Sequence, residues 1–174
     1  LGTVLAASFL FAGAAQADTY TSDAAHTYVL FKVTHMGIAP NFGQFLKHNA
    51  KIEWDAANPK FEFEVETGSV FTGVQKRDKH LRGPDFFNAK QFPKITFKST
   101  SATKQGDAWQ VTGDLTMNGQ TKPVTATIKK TGEGKDPWGN YRLGLYAEFT
   151  VKRSEFGMTY GIDKGIAGDE VTLM

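Results

Sequence analysis

The feature that most constrains the fold of this chain is an alternation of apolar and polar residues with a period of two. Over residues 61–71, apolar or small residues occupy every second position, and Glu62, Glu64 and Glu66 lie between them. Successive side chains of a β-strand point to opposite faces of a sheet. The segment is therefore predicted to be a strand with one buried and one solvent-facing side.

The same alternation recurs at seven further places, so about eight strands are predicted. These segments are residues 28–35, 50–54, 95–98, 109–117, 124–129, 141–151 and 171–173. Asn118-Gly119 separates two of them and is a strong signal for a type I′ hairpin turn. Short antiparallel strands joined by such turns are typical of an all-β sandwich or a closed barrel.

The composition excludes several classes of function. A net charge of +2 on 174 residues argues against a nucleic-acid-binding protein that relies on a strongly basic surface. The chain has no Cys, which excludes disulfides, thiolate metal sites and cysteine nucleophiles. The sequence contains neither a phosphate-binding glycine loop nor a nucleophile-elbow motif, so no cofactor and no catalytic residue is predicted.

Residues 1–17 are predicted to be a secretory signal peptide. They carry no charge, contain an apolar core and end in Ala15-Gln16-Ala17, which fits the small-residue motif before a cleavage site. The alternative, a membrane anchor, is disfavoured because the apolar run is shorter than the roughly 20 residues that span a bilayer. No basic region or initiator Met precedes the run, and the last predicted strand stops at Met174, so residues are expected to be missing at both termini. Residues 18–174 are expected to form a single exported, periplasmic domain.

The segment of residues 74–89 breaks the alternation and is dense in charged residues. A short helix is predicted over residues 75–82, because Gly83-Pro84 prevents a continuous helix at that point. A second turn then carries Phe86 and Phe87. An insertion of this kind is expected to cover one end of a barrel.

Several blocks along the chain, in order, resemble the YceI family. They are His26-Thr27-Tyr28-Val29-Leu30-Phe31, Gly43-Gln44-Phe45, Arg77-Asp78-Lys79-His80-Leu81-Arg82, Asp85-Phe86-Phe87, residues 92–100, Gly113-Asp114-Leu115-Thr116, Asn118-Gly119 and Arg153-Ser154-Glu155-Phe156-Gly157-Met158. The resemblance implies a lipocalin-like antiparallel β-barrel of about eight strands with a short helical insertion, often found in the periplasm. It also implies that the barrel holds a polyisoprenoid, such as a polyprenyl quinone or alcohol, and that a homodimer is possible.

The candidate ligand-binding residues are mainly apolar side chains expected on the inward strand faces and on the insertion. They are Phe31, Val33, His35, Phe45, Phe63, Val65, Phe71, Leu81, Phe86, Phe87, Phe97, Leu115 and Phe149. An eight-stranded barrel is just wide enough to be filled by side chains or to hold a small ligand. Aromatic residues mixed with small ones such as Gly113 and Ala126 therefore either line a tunnel or fill the core, and the resemblance favours the tunnel.

The four histidines, which are scattered along the chain, match no metal-binding spacing, so no metal site is predicted. His35 shares an apolar strand face, which is typical of a hydrogen-bonded core residue, and contact with a quinone carbonyl is the alternative. Arg77, Asp78 and His80 are expected to fix the short helix on the barrel through local bonds. An acid–base role for these three residues is the alternative.

These observations predict a periplasmic lipid-binding protein that transports, stores or sequesters a polyisoprenoid without covalent chemistry. The expected partners are a hydrophobic small molecule and, transiently, a membrane, but no nucleic acid. Two alternatives stay open. One is an enzyme acting on a small hydrophobic substrate, with His35 or His80 as its polar group. The other is a stress-response or structural module whose barrel is filled.

Overall fold

Eleven β-strands and one α-helix make up the part of the chain that the computed structural model describes, residues 17–174. The strands are β1 (Asp18–Thr21), β2 (Val29–His35), β3 (Ala39–Phe45), β4 (His48–Trp54), β5 (Lys60–Glu66), β6 (Val70–Phe71), β7 (Lys94–Gln105), β8 (Ala108–Met117), β9 (Gln120–Lys135), β10 (Tyr141–Lys152) and β11 (Ala167–Leu173). The helix, α1 (Gln75–Leu81), lies between β6 and β7. The predicted leader falls outside the described residues, apart from Ala17.

The strands form one antiparallel sheet that curls back on itself. Its order is β1-β4-β5-β7-β8-β9-β10-β11-β2-β3-β6. β3 and β4 lie near opposite ends of this order, yet only Leu46 and Lys47 separate them in the chain. Because the three peptide links from Phe45 to His48 span at most about 11 Å, the two ends of the sheet must meet. The predicted antiparallel β-barrel fold is confirmed.

Ser69 holds this junction together. Its carbonyl oxygen accepts a hydrogen bond from the backbone N–H of Leu46 at 3.2 Å, and its Oγ accepts one from the backbone N–H of Lys47 at 3.0 Å. The carbonyl oxygen of Lys47 in turn accepts a bond from the N–H of Glu66 at 2.9 Å. The backbone groups at the seam are therefore paired even though β3 and β4 form no ladder with each other.

The number of strands, eleven, exceeds the predicted eight. The three additional strands are β1, β3 and β6. β1 has four residues and β6 has two, while β3 contains Pro40 and Gly43, which are unusual inside strands. They form because neighbours pair with them: β1 with β4, β3 with β2, and β6 with β3.

The prediction of one continuous strand over residues 61–71 is wrong at its C-terminal end. A 3-10 turn, Thr67–Ser69, separates β5 from β6. Thr67 is buried, and its Oγ1 donates to the carbonyl oxygen of Phe92 at 2.7 Å, which fixes the turn against the chain that precedes β7. The turn shifts the alternation, and Phe71 is consequently 43% exposed instead of facing the interior.

The outer face of the sheet is charged, as the alternation predicts. Glu62 lies directly opposite Lys98 in the β5–β7 register, with 2.9 Å between Oε1 and Nζ. Glu64 pairs with Lys94 in the same ladder at 2.8 Å. Exposed pairs of this kind each contribute little stability. They show which face of the strands points outward, so the apolar positions between them face inward.

The inward side chains pack in two clusters. One contains Phe31, Phe45, Val65, Val70, Ile95, Leu115, Met117, Val151, Phe156 and Met158. The other contains Phe61, Trp109, Val111 and Ile128. Phe97 packs against both clusters and so connects them across the interior.

The insertion folds as predicted. α1 runs from Gln75 to Leu81, Arg82 is its C-cap, and the turn that follows carries Phe86 and Phe87. The N–H of Phe87 donates to the carbonyl oxygen of Leu81 at 3.0 Å, and the Phe87 ring packs edge-on against Phe45, with 5.3 Å between ring centroids. We call residues 75–87 the cap, since they cover one end of the barrel.

Candidate ligand-binding cavity

A cavity of about 1540 Å³ occupies the inside of the barrel. Pockets for drug-sized ligands typically measure roughly 300–1,000 Å³, so this cavity suits a larger molecule. Its wall includes twelve of the thirteen predicted ligand-binding residues: Phe31, Val33, His35, Phe45, Phe63, Val65, Leu81, Phe86, Phe87, Phe97, Leu115 and Phe149. The exception is Phe71, which the 3-10 turn places outside. The cavity contradicts the alternative in which side chains fill the barrel.

Two glycines explain why so many aromatic rings leave the interior open. Gly43 lies opposite Phe31 in the β2–β3 ladder, and a methyl group at Gly43 would collide with the Phe31 ring. A methyl group at Gly113 would come within 2.5 Å of Cζ of Phe97. Each ring therefore lies against the backbone of a neighbouring strand, on the bare glycine, instead of projecting across the cavity.

Polar side chains line the cavity at the cap. Nε2 of His80 lies 2.8 Å from Oδ2 of Asp85, and the imidazole packs edge-on against Phe86 and Tyr160 at centroid distances of 5.0 and 4.8 Å. His80 is half-exposed and lines the cavity together with Phe86 and Tyr160. The imidazole is thus held in one orientation by a carboxylate and two rings.

The beginning of α1 is anchored by a buried carboxylate. Asp78 is 5% exposed, and its Oδ1 accepts hydrogen bonds from both the backbone N–H and Oγ1 of Thr72, at 2.8 and 2.6 Å. Arg77 donates from Nε to Oγ1 of Thr72 at 2.8 Å and from Nη2 to its carbonyl oxygen at 2.9 Å. These bonds match the predicted structural role of Arg77 and Asp78, and Arg77 also lines the cavity.

A second polar group lines the cavity near the start of β10. Arg142 contacts Oδ2 of Asp23 and Oδ2 of Asp136, each at 2.8 Å, so its guanidinium lies between two carboxylates. A hydrogen bond from His26 lowers the pKa of Asp23, and bonds led by the side chain of Asn140 lower the pKa of Asp136 to about 2. We call Asp23, His26, Asp136, Asn140 and Arg142 the rim cluster.

The cap and the rim cluster lie at opposite ends of the cavity. Arg142 is the second residue of β10, whereas Arg153 follows its last residue and lies under the cap, 5.7 Å from the Phe86 ring centre. A strand rises about 3.4 Å per residue, so roughly 35 Å separate the two arginines. The cavity therefore runs along most of the barrel, with polar groups at both ends.

Arg153 is a buried structural residue at the end of β10. It is 4% exposed, and its guanidinium donates to four backbone carbonyl oxygens, those of Met158, Tyr160, Ala167 and Gly168, at 2.8–2.9 Å. Burial lowers the pKa of Arg153. The four bonds tie the segment between β10 and β11 to the end of the barrel.

Several residues of the cavity wall were not among the predicted ligand-binding residues. Tyr28, Trp138, Tyr141, Tyr146 and Tyr160 line the cavity and are exposed. Trp138 and Tyr160 lie in turns, where no periodicity indicates which way a side chain faces, whereas the other three lie within the predicted strand segments 28–35 and 141–151. Ile95 and Met117, which also line the wall, do follow the alternation and carried a usable signal.

Two kinds of feature are absent from the part of the chain that the structure describes. Among residues 17–174, no three His, Asp or Glu side chains come close enough together to hold a metal ion. In the same range, no helix has the length and apolar character needed to cross a bilayer.

Comparison with known proteins assigns the family. The YceI-like domain matches residues 20–174, nearly the whole described chain. The chain belongs to the YceI family. A curated member, Protein YceI of Salmonella arizonae, is 41% identical over 179 aligned residues, with 100% of this chain and 93% of that protein covered. The resemblance inferred from the sequence blocks is thereby confirmed.

Solved structures share the fold. BcnA of Burkholderia cenocepacia superimposes with a TM-score of 0.79 at 26% identity, covering 87% of this chain and 94% of that one. A polyisoprenoid-binding domain of Saccharophagus degradans, implicated in plant cell wall breakdown, gives a TM-score of 0.67 at 12% identity, covering 91% and 95%. Both neighbours therefore support the barrel fold of this chain.

Proposed function

We propose that this YceI family member is an exported, periplasmic protein that holds a polyisoprenoid non-covalently inside its barrel, for transport, storage or sequestration. The observation that carries the proposal is the cavity of about 1540 Å³, whose wall is mainly aromatic and aliphatic between two polar ends. An isoprenoid tail has no polar atoms, so it needs only apolar surface. Burial of about 25 cal/mol per Å² then supplies the affinity.

The comparisons support the ligand class by analogy. The fold is shared with a domain described as polyisoprenoid-binding, although the low identity to that domain carries the fold alone. The polar ends suit a head group, and a polyprenyl quinone or alcohol supplies both an apolar tail and such a head. The sequence of residues 1–17 supports export.

Mass spectrometry of the purified mature protein tests the proposal. We expect a co-purified lipid of repeating five-carbon units in organic extracts, and native spectra that show a one-to-one complex after addition of a polyprenol or ubiquinone. The same measurement with Phe71→Ala is a matched control, because Phe71 lies outside the cavity. A protein that purifies empty and takes up neither lipid would contradict the function.

The proposal includes transient contact with a membrane, since a polyisoprenoid must be collected from a bilayer. The β2–β3 hairpin supports this part, because Met36, Ile38 and Phe42 are 59%, 81% and 58% exposed and Phe42 also lines the cavity. Ile38→Ser should slow lipid uptake from vesicles and leave the equilibrium affinity for the lipid unchanged. An equal slowing by Thr103→Ser, on the exposed outer face of β7, would argue against a specific contact at the hairpin.

A further inference from the structure

The two polar ends of the cavity differ in how many hydrogen-bonding groups remain for a ligand. In the rim cluster, Arg142 uses Nε, Nη1 and Nη2 on the carboxylates of Asp23 and Asp136. Asp136 also accepts bonds from Asn140. Most of these groups pair with one another. Nε2 of His26 has no partner within residues 17–174, but this side chain is 79% exposed to solvent.

The cap leaves specific groups available. Arg77 binds Thr72 through Nε and Nη2, and within residues 17–174 its Nη1 donates to no protein acceptor. His80 binds Asp85 through Nε2 alone, and Nδ1 has no partner in the same range. One donor and one ring nitrogen thus stay unpaired where the cavity meets the cap.

Helical geometry brings these two groups together. Arg77, His80 and Leu81 stand at positions i, i+3 and i+4 of α1, which share one helix face with about 5–6 Å between neighbouring Cβ atoms. All three line the cavity. Lys76 and Lys79, on the remaining surface of α1, are exposed and absent from the cavity wall.

The partner of His80 determines what Nδ1 can do. A carboxylate only accepts hydrogen bonds, so the contact with Asp85 requires a proton on Nε2. In the neutral imidazole, Nδ1 then carries the lone pair and accepts. Arg77 can only donate. The cap therefore presents one acceptor beside one donor, the pattern complementary to a hydroxyl group.

We propose that Arg77 and His80 form a head-group subsite that selects a hydroxyl-bearing isoprenoid, a polyprenol or a quinol, over a head that can only accept. The hydroxyl donates to Nδ1 of His80, and its oxygen accepts from Nη1 of Arg77. The tail extends along the barrel toward the rim cluster. A quinone carbonyl satisfies Arg77 but leaves Nδ1 of His80 facing another acceptor. This subsite rests on the proposed function, because it recognises the head group of the lipid that the barrel holds.

A pair of ligands that differ by one hydrogen-bond donor tests the subsite. Geranylgeraniol and its methyl ether share the tail, and only the alcohol can donate. Isothermal titration calorimetry at pH 8, where an imidazole is ordinarily neutral, gives the affinity of each ligand. The wild-type protein should bind the alcohol about tenfold more tightly, as expected when one hydrogen bond is lost and the ring nitrogen is left unpaired.

Variants on the two sides of α1 locate the effect. His80→Phe keeps a ring between Phe86 and Tyr160 but removes the acceptor, and should lower the affinity for the alcohol to that of the ether. Arg77→Met should lower the affinity for both ligands, because the oxygen of each accepts from Nη1. Lys79→Met removes a positive charge from the outer side of the same helix and should keep the tenfold preference.

Each outcome decides between the proposals. Equal affinity of the wild-type protein for alcohol and ether overturns the subsite and leaves the lipid-binding function standing. A preference that persists in His80→Phe also overturns the subsite. If the wild-type protein binds neither ligand, the proposed function fails and the subsite fails with it.

Discussion

Gly113 on β8 has no side chain, and this keeps part of the cavity open. The Phe97 ring occupies the space that a Cβ at Gly113 would need, and the carbonyl oxygen of Lys98 would lie 2.5 Å from the same Cβ. The ring can turn away, but the carbonyl belongs to a paired strand and cannot. The sequence places Gly113 on the inward face, whereas its close approach to Phe97 depends on the register of β7 against β8.

Gly113→Ala should therefore lower the free energy of unfolding by about 1–3 kcal/mol, the usual cost of overpacking a closed site. Urea unfolding followed by circular dichroism measures this change. Gly132→Ala is the matched control, because nothing lies within 4 Å of a Cβ at that position. Equal stability of the two variants would show that the barrel accommodates the methyl group at Gly113.

Asp136 in the rim cluster confers a dependence of stability on acidic pH. Its pKa falls from 3.8 to about 2, first because the side chain of Asn140 donates to it, and also because Arg142 does. A group whose pKa is lower in the folded state stabilises fully above its unfolded pKa and loses that contribution as the pH falls through the folded value. The contribution is thus complete above about pH 4 and disappears toward pH 2.

Asp136→Asn should make the free energy of unfolding fall less steeply between pH 4 and pH 2 than it does in the wild-type protein. Urea titrations at a series of pH values give this slope. Asp107→Asn, in the exposed β7–β8 turn, serves as the control and should leave the slope unchanged. If the free energy of unfolding of Asp136→Asn fell with pH as steeply as that of the wild-type protein, other carboxylates would account for the loss of stability in acid.

At the scale of elements, the sequence predicts the segments whose structure depends on local residues and not on pairing with distant strands. Asn118 and Gly119 both have positive φ, 50° and 74°, as the predicted type I′ turn requires. The helix of the cap ends at Leu81, next to Gly83-Pro84 as expected. β1, β3 and β6 escaped prediction because pairing with neighbouring strands creates them, and a turn bonded to Phe92 creates the break after β5.

The attachment of the cap depends on Thr72, which joins β6 to α1. Thr72→Val removes a hydroxyl that donates to buried Asp78 and accepts from Arg77. Loss of a hydrogen bond to a buried charged group should cost about 1–3 kcal/mol of stability and speed amide exchange across the cap. Thr103→Val on the exposed part of β7 is the control. Unchanged exchange rates in the cap would show that ring packing alone holds it.

At the scale of the whole molecule, the alternation predicted an antiparallel sandwich or barrel with most of its inward residues, and the resemblance to the YceI family implied the barrel. Twelve of the thirteen predicted residues line the cavity because inward faces follow directly from periodicity. The polar ends were not predictable as sites. Asp23 and Arg142 are 119 residues apart in the chain, and only closure of the sheet brings them together. The homodimer implied by the family stays a prediction.

The open cavity that would hold a lipid also lowers the stability of the ligand-free protein. Empty apolar space forfeits contacts that a close-packed core would make, so the ligand-free barrel is less stable than a filled one. Ala147 lies on the cavity wall between Leu145 and Phe149, and Ala147→Trp places a large ring in that space. We expect this variant, without ligand, to unfold at the wild-type temperature or above it.

The same substitution should reduce the increase in Tm that a bound lipid causes. A lipid at a hundred times its Kd adds about 2.7 kcal/mol to the folded state, which for a domain of this size raises the Tm by about 5–10 °C. Ala147→Trp should lose this increase, whereas Thr150→Trp, with the same ring on the outer face of β10, should keep it. Differential scanning calorimetry with and without a polyprenol measures both. A full ligand-dependent increase in Ala147→Trp would mean that the lipid does not occupy the barrel, because a ring in the middle of the cavity blocks any tail that extends from the cap toward the rim cluster.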